Sequence, residues 1–106
     1  MKRLIFGLVL IATFLSGCSS RHLTVQFVLP LISSQIISMQ EERDADFAEK
    51  AIPASLKMLE GLAKEDPENI WILQKLAEGF CGYAFSFLED SEPDRASELY
   101  FRGRDY

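Results

Sequence analysis

The four residues Asp66-Pro67-Glu68-Asn69 constrain this chain more than any other stretch, because a segment with helical apolar spacing lies on each side of them. Proline lacks a backbone N–H and disfavours a helical residue before it, so a helix arriving from the N-terminal side must stop here. Asp66 is suited to cap the next helix, its carboxylate accepting from free backbone amides, with Pro67 at the first helical position. The stretch predicts the bend of an antiparallel helical hairpin. Before it, Ile52, Leu56, Leu59 and Ala63 fall on one apolar face, with Lys57, Glu60 and Lys64 mostly off it. The bend then brings Leu59 and Leu76 to face one another.

From Asn69 to about Leu88 the spacing predicts the longest and most apolar helix. Leu73, Leu76, Ala77, Phe80, Ala84, Phe87 and Leu88 make one stripe, while Trp71, Ile72, Tyr83 and Phe85 spread apolar surface onto other faces. Such a helix is buried on several sides and is the central packing element. Gly79 and Gly82 inside it each cost about 1 kcal/mol relative to alanine, which close approach of a neighbouring helix would offset. Glu89–Asp94 reads as the next turn, with Ser91 as N-cap and Pro93 and Asp94 in the first turn. Ala96, Leu99, Tyr100 and Gly103 then mark a third buried face. Tyr106 follows with no capping glycine, proline or polar tail, the pattern of a chain cut within a helix.

Upstream, Asp46 with Glu49 resembles a capping box that starts a helix near Phe47, and Pro53 interrupts it, kinks it or begins a new one. Leu23–Met39 carries no charge. Its first half alternates like a strand and its second half is spaced like a helix, with Pro30 between them. A helix is favoured, since an isolated strand has no partner. Gln26, Pro30, Ser33, Ser34 and Gln35 speak against a membrane span.

The N-terminus follows a different logic. Lys2 and Arg3 precede the apolar run Leu4–Leu15, which has the length of a signal-peptide core. It ends in Leu15-Ser16-Gly17-Cys18, which resembles the lipobox of bacterial lipoproteins, whose cysteine receives a diacylglycerol before cleavage ahead of it. Three regions result: a leader over residues 1–17, a lipid-anchored tether with an apolar helix over 18–43, and a helical domain over 44–106. Cleavage leaves nine basic residues against sixteen acidic ones, a net charge of about −7. That excludes a phosphate-binding footprint, and hence a nucleic-acid partner. Anchoring then rests on acyl chains rather than on anionic lipid. Ser19 directs the lipoprotein to the outer membrane by the sorting preference of enteric bacteria. Ser19–Leu23 reads as a polar tether that includes the sole histidine, His22. Cys81 loses any intrachain disulfide partner once Cys18 is lipidated, and reads as a buried thiol.

With Pro67 at the closing-proline position of a tetratricopeptide (TPR) repeat, Leu73, Leu76, Ala77 and Phe80 occupy that repeat's large, Leu, small and aromatic sites. Ala96, Tyr100 and Gly103 fall at its second-helix sites seven residues late, about two helical turns. The segments Ala51-Ile52-Pro53 followed by Leu56-Lys57 and Glu60, then Pro67-Glu68-Asn69, Ala77-Glu78-Gly79-Phe80, Tyr83-Ala84-Phe85-Ser86-Phe87 and Leu99-Tyr100-Phe101-Arg102-Gly103-Arg104-Asp105-Tyr106 are similar to the TatT family. These are the TPR-like T components of tripartite ATP-independent periplasmic (TRAP) transporters. The resemblance implies an all-α fold of TPR-like antiparallel hairpins, incomplete at the C-terminus because family members continue through further helix pairs. It also implies a lipid-anchored periplasmic protein that can form a symmetric homo-oligomer and engages the transporter's periplasmic substrate-binding protein.

Function on these grounds is a binding module that shares a hydrophobic ligand with that component. The alternative is a TPR-type lipoprotein scaffold for envelope assembly, unrelated to transport. No nucleophile paired with a base, phosphate-cradling loop or metal-ligand spacing is present, so neither an enzyme nor a cofactor is expected. Trp71, Tyr83 and Phe85 are the apolar candidates for a ligand or partner surface, although core packing competes for each. Arg102 and Arg104 are the charged candidates, with an Arg102–Asp105 ion pair as the competing role.

Overall fold

The computed structural model describes residues 1, 2, 4, 5, 7 and 19–106, so Cys18 and most of the leader lie outside the described residues. The chain is all-α. Helix α1 spans Ser19–Gln40, α2 Ala45–Glu65 and α3 Ile70–Tyr83; a π-helical turn over Ala84–Leu88 extends α3, and α4 spans Pro93–Arg104. No strand occurs among the described residues. The helical reading of Leu23–Met39 holds, and the tether expected over Ser19–Leu23 is instead the first turn of that helix.

Successive helices run antiparallel, as the cross-helix pairs show. Along α2 from Ser55 to Glu65 the partner on α1 moves back from Gln35 to Arg21. Between α2 and α3, Gly79 lies against Leu56, and the two are equally distant from the Asp66–Asn69 bend. Gly103 of α4 sits against Cys81 and Ala77, while Tyr100 nearer the preceding turn reaches Glu89.

Caps fall elsewhere than the sequence pattern predicts. Asn69, not Asp66, caps α3, its Oδ1 accepting from Ile72 N at 3.2 Å. Asp66 instead closes α2, its N–H donating to Leu62 O, and its Oδ2 accepts from Asn69 Nδ2 at 2.9 Å. One acidic side chain thus orients the cap of the next helix, and Pro67 stays in the turn. Likewise Asp44, not Asp46, caps α2 by accepting from Phe47 N at 3.1 Å. Glu92 occupies the N-cap position of α4 without a side-chain bond, and Ser91 donates backward to Phe87 O at 3.3 Å. Short polar side chains two or three residues apart compete for the same free amides, and chain direction decides which one reaches them.

Pro53 lies inside α2 without breaking it. An interior proline costs about 3 kcal/mol, but Ala48 before it and Leu56 and Leu59 after it are all buried on the same helix. The segment from Ile70 to Leu88 is one continuous body but not the longest, since α1 and α2 have 22 and 21 residues. Its most buried line runs through Ile72, Leu76, Phe80, Tyr83 and Ala84, with Leu73 and Ala77 on the flank. Ile72 and Leu76 are fully buried, and Leu59 and Leu76 share the core. Gly79 gives Leu56 its place: a Cβ there would meet Leu56 Cδ2 and oblige that side chain to shift. Gly82 has no such neighbour, for nothing lies within 4 Å of its would-be Cβ. Beyond Tyr83 the π turn, marked by Glu89 N donating to Ala84 O at 3.0 Å, keeps both Ala84 and Leu88 buried.

Candidate functional site

Beside the core, the described residues form an apolar groove and a charged cluster. The first is a groove of about 240 Å³ between α1 and the α2–α3 pair. Ile36 and Met39 come from α1, Ile52, Leu56 and Leu59 from α2, and Tyr83 and Phe87 from α3 and the π turn. Gly79 and Gly82 line it as well, and Gly82 leaves it open, with nothing within 4 Å of where its Cβ would lie. Its polar rim is Gln35, whose amide donates to Ser55 Oγ at 2.9 Å, with Lys75 and Glu78, which pair at 2.6 Å. An apolar wall with few polar groups at one edge suits an apolar ligand or side chain.

The second feature is a clamp around Glu60, further around α2 from the groove. Glu60 is only 7% exposed. Its Oε2 accepts from Lys57 Nζ at 2.5 Å, and its Oε1 accepts from Arg102 Nε at 3.0 Å, from Arg102 Nη2 and from Tyr106 Oη at 2.6 Å. Arg102 also lies over the Phe80 ring, 4.5 Å from its centroid, and Phe80 stacks on Tyr106 at 5.9 Å. Burial by itself would raise the Glu60 carboxyl, but the hydrogen bonds from Lys57, Tyr106 and Arg102 prevail and bring it down to about 2. The same contacts raise Tyr106, through burial first and its bond to the carboxylate second, and raise Arg102 through its bond to Glu60. A cleft of about 400 Å³ adjoins the clamp, lined by Lys57, Lys64, Leu73, Arg102 and Tyr106. Its chemistry is structural: α4 is tied to α2 across α3, with the carboxylate satisfied on both oxygens.

The candidate residues scatter over these features. Tyr83 lines the groove and is also core, 7% exposed and tilted against Phe87 at 5.2 Å. Trp71 is half-buried against the core and lines neither cavity, and Phe85 is 71% exposed. Arg102 pairs with Glu60 rather than with Asp105. Asp105 takes Arg104 instead, at 2.7 Å, and Arg104 covers Phe101 at 5.0 Å from its ring centroid. Glu60 carries part of the family resemblance but is not among the expected site residues, because it sits at the edge of the Leu56–Ala63 face. The available signal was its position four residues after Leu56, about 40° around the helix. His22 is no idle tether, since its Nδ1 lies 2.9 Å from Asp66 Oδ2. Cys81 is half-buried and free, and among the described residues no group of three His, Cys, Asp or Glu side chains could hold a metal ion.

Compared with known proteins, residues 41–106 match the family model described as TRAP transporter T-component. No curated protein and no solved structure matches the chain.

Proposed function

Because the chain belongs to the TRAP transporter T-component family, we propose that it is the lipid-anchored periplasmic accessory of such a transporter, binding the transporter's substrate-binding protein. The family match over α2, α3 and α4 is the observation that carries this function. The family serves a transporter of the cell envelope and is not a family of enzymes. Cys18 carries the diacylglycerol, and Ser19 after it directs the protein to the outer membrane. The groove between α1 and the α2–α3 pair supports a share in handling a hydrophobic ligand, with Tyr83 as the sequence-predicted residue on its wall. Phe85, exposed and not part of the groove's lining, is an anchor for a partner surface, together with the outer side of Trp71. Arg104 and the edge of Arg102 supply the charged part of that surface.

Co-purification of the mature lipoprotein with the binding protein encoded beside its transporter tests the assignment. A complex that survives size-exclusion chromatography supports it, and no complex at micromolar concentrations of both proteins overturns it. Gly82→Phe adds the ligand question, because open space at Gly82 lets a ring enter the groove without disturbing the core. Loss of apolar-probe fluorescence in that variant, with the helical signal unchanged, is the expected result.

A further inference from the structure

Helix α1 is apolar on two opposite sides. One side, carrying Val25, Leu29, Ile32 and Ile36, packs into the core. About 180° around the helix, Leu23, Phe27, Leu31 and Ile37 point outward, with Phe27 84% and Leu31 72% exposed. No charge occurs from Leu23 to Gln40, and charges resume at once with Glu41, Glu42 and Arg43. This helix is long and apolar enough to cross a membrane by length and composition. Crossing is opposed by its other side, which is held to α2 by Val25 and Ile32 and by Arg21–Glu65 and Gln35–Ser55 contacts. Insertion would draw in Asp46, Glu49, Lys50, Lys57, Lys64 and Glu65 of α2 as well.

We infer that α1 lies flat in the membrane interface, with Leu23, Phe27, Leu31 and Ile37 in the boundary between headgroups and acyl chains and the rest of the bundle resting on its other side. The inference deepens the anchoring described above and rests on lipidation of Cys18. That residue immediately precedes α1, so acyl chains entering the bilayer there hold the first turn at the headgroups. Leu23 follows five residues later, about 7.5 Å along the helix axis, so the first outward apolar side chain lies in the plane of the interface close to the anchor. With a mature charge of about −7, attraction to anionic lipid adds nothing, so what the uncharged apolar stripe contributes at the interface is burial of apolar surface. A second copy of the chain is the lesser occupant, since four side chains fall far short of the roughly 20 residues a side that stable interfaces use.

The test uses the lipidated mature chain in vesicles of phosphatidylethanolamine and phosphatidylglycerol, with p-benzoylphenylalanine replacing Phe27 or, as the comparison, the exposed Phe101 on α4. After irradiation, intact mass is expected to show a phospholipid adduct at position 27 and none above background at position 101. A diacylglyceryl mass on Cys18 without a lipid adduct at position 27 overturns the flat placement and leaves the anchor standing. A chain-to-chain adduct at position 27 overturns it in favour of an oligomer contact. Absence of the diacylglyceryl mass overturns the anchor, and the placement with it.

Discussion

Glu60→Gln removes the buried charge of the clamp and keeps its size. In the folded chain the carboxyl lies at about 2 rather than at its ordinary 4.5. A group depressed on folding stabilises the native state fully above its unfolded value, and that stability drains away as the pH falls from about 4.5 toward 2. The gap corresponds to an upper limit of about 3 kcal/mol. The Lys57 and Arg102 side chains are 70% and 43% exposed, and water screens both. Screening brings the realised contribution to about 1–2 kcal/mol. Urea unfolding of the mature chain, followed by far-ultraviolet circular dichroism from pH 7 down to pH 3, measures it. At pH 7 the variant should be less stable by about 1–2 kcal/mol, equivalent to a Tm lower by roughly 4–16 °C for a domain of this size. The difference should shrink below pH 4.5. A deficit that stays constant over the whole range would mean that shape, not charge, is what Glu60 supplies. Equal stability at pH 7 would refute the clamp outright.

Three further outcomes are expected from the packing. Gly103→Ala places a methyl 2.7 Å from Cys81 Sγ and 3.1 Å from the Ala77 carbonyl oxygen, so it should lose about 1–3 kcal/mol in the same unfolding assay. Gly82→Ala meets nothing within 4 Å and should gain about 0.5–1 kcal/mol from helix propensity alone, shifting the urea midpoint upward. Asn69→Ala removes the cap of α3 and should cost about 1 kcal/mol, whereas Pro67→Ala, outside both helices, should change stability by less than half of that; hydrogen exchange at Ile72 should report the lost cap as faster opening of the first turn.

Element type was legible because apolar spacing survives any choice of cap. Leu56, Leu59, Leu76, Phe80 and Ala96 are all buried as their helical period requires. Caps were less legible because Asp44 and Asp46, or Asp66 and Asn69, can each bond a free amide, and only the path of the chain separates them. The identity of the small residues could be read, but not their use. Gly79 makes a close approach and Gly82 opens a groove, a distinction that depends on where Leu56 comes from across the bend. The clamp was hidden for a different reason: Arg102 and Tyr106 reach Glu60 from 42 and 46 residues away, across an intervening helix. Local charge spacing instead favoured the i,i+3 pair Arg102–Asp105, which long-range geometry displaced.

The residue at which the family match begins is also a physical boundary. Residues 41–106 carry the acidic and basic faces of α2, α3 and α4, while α1 before them has no charge after His22. Two kinds of contact join the parts. The Arg21–Glu65 pair has both side chains exposed, at 63% and 44%, and water screens it. Val25 and Ile32, at 1% and 3% exposure, contribute about 1.5–3 kcal/mol each by burial. Apolar packing therefore decides whether α1 stays on α2, and the ion pair sets only its register. The groove depends on the same packing, because Ile36 and Met39 form the wall that α1 gives it. A ligand seated there binds α1 and α2 together, so occupancy would oppose separation of the anchored helix from the family-type body it carries.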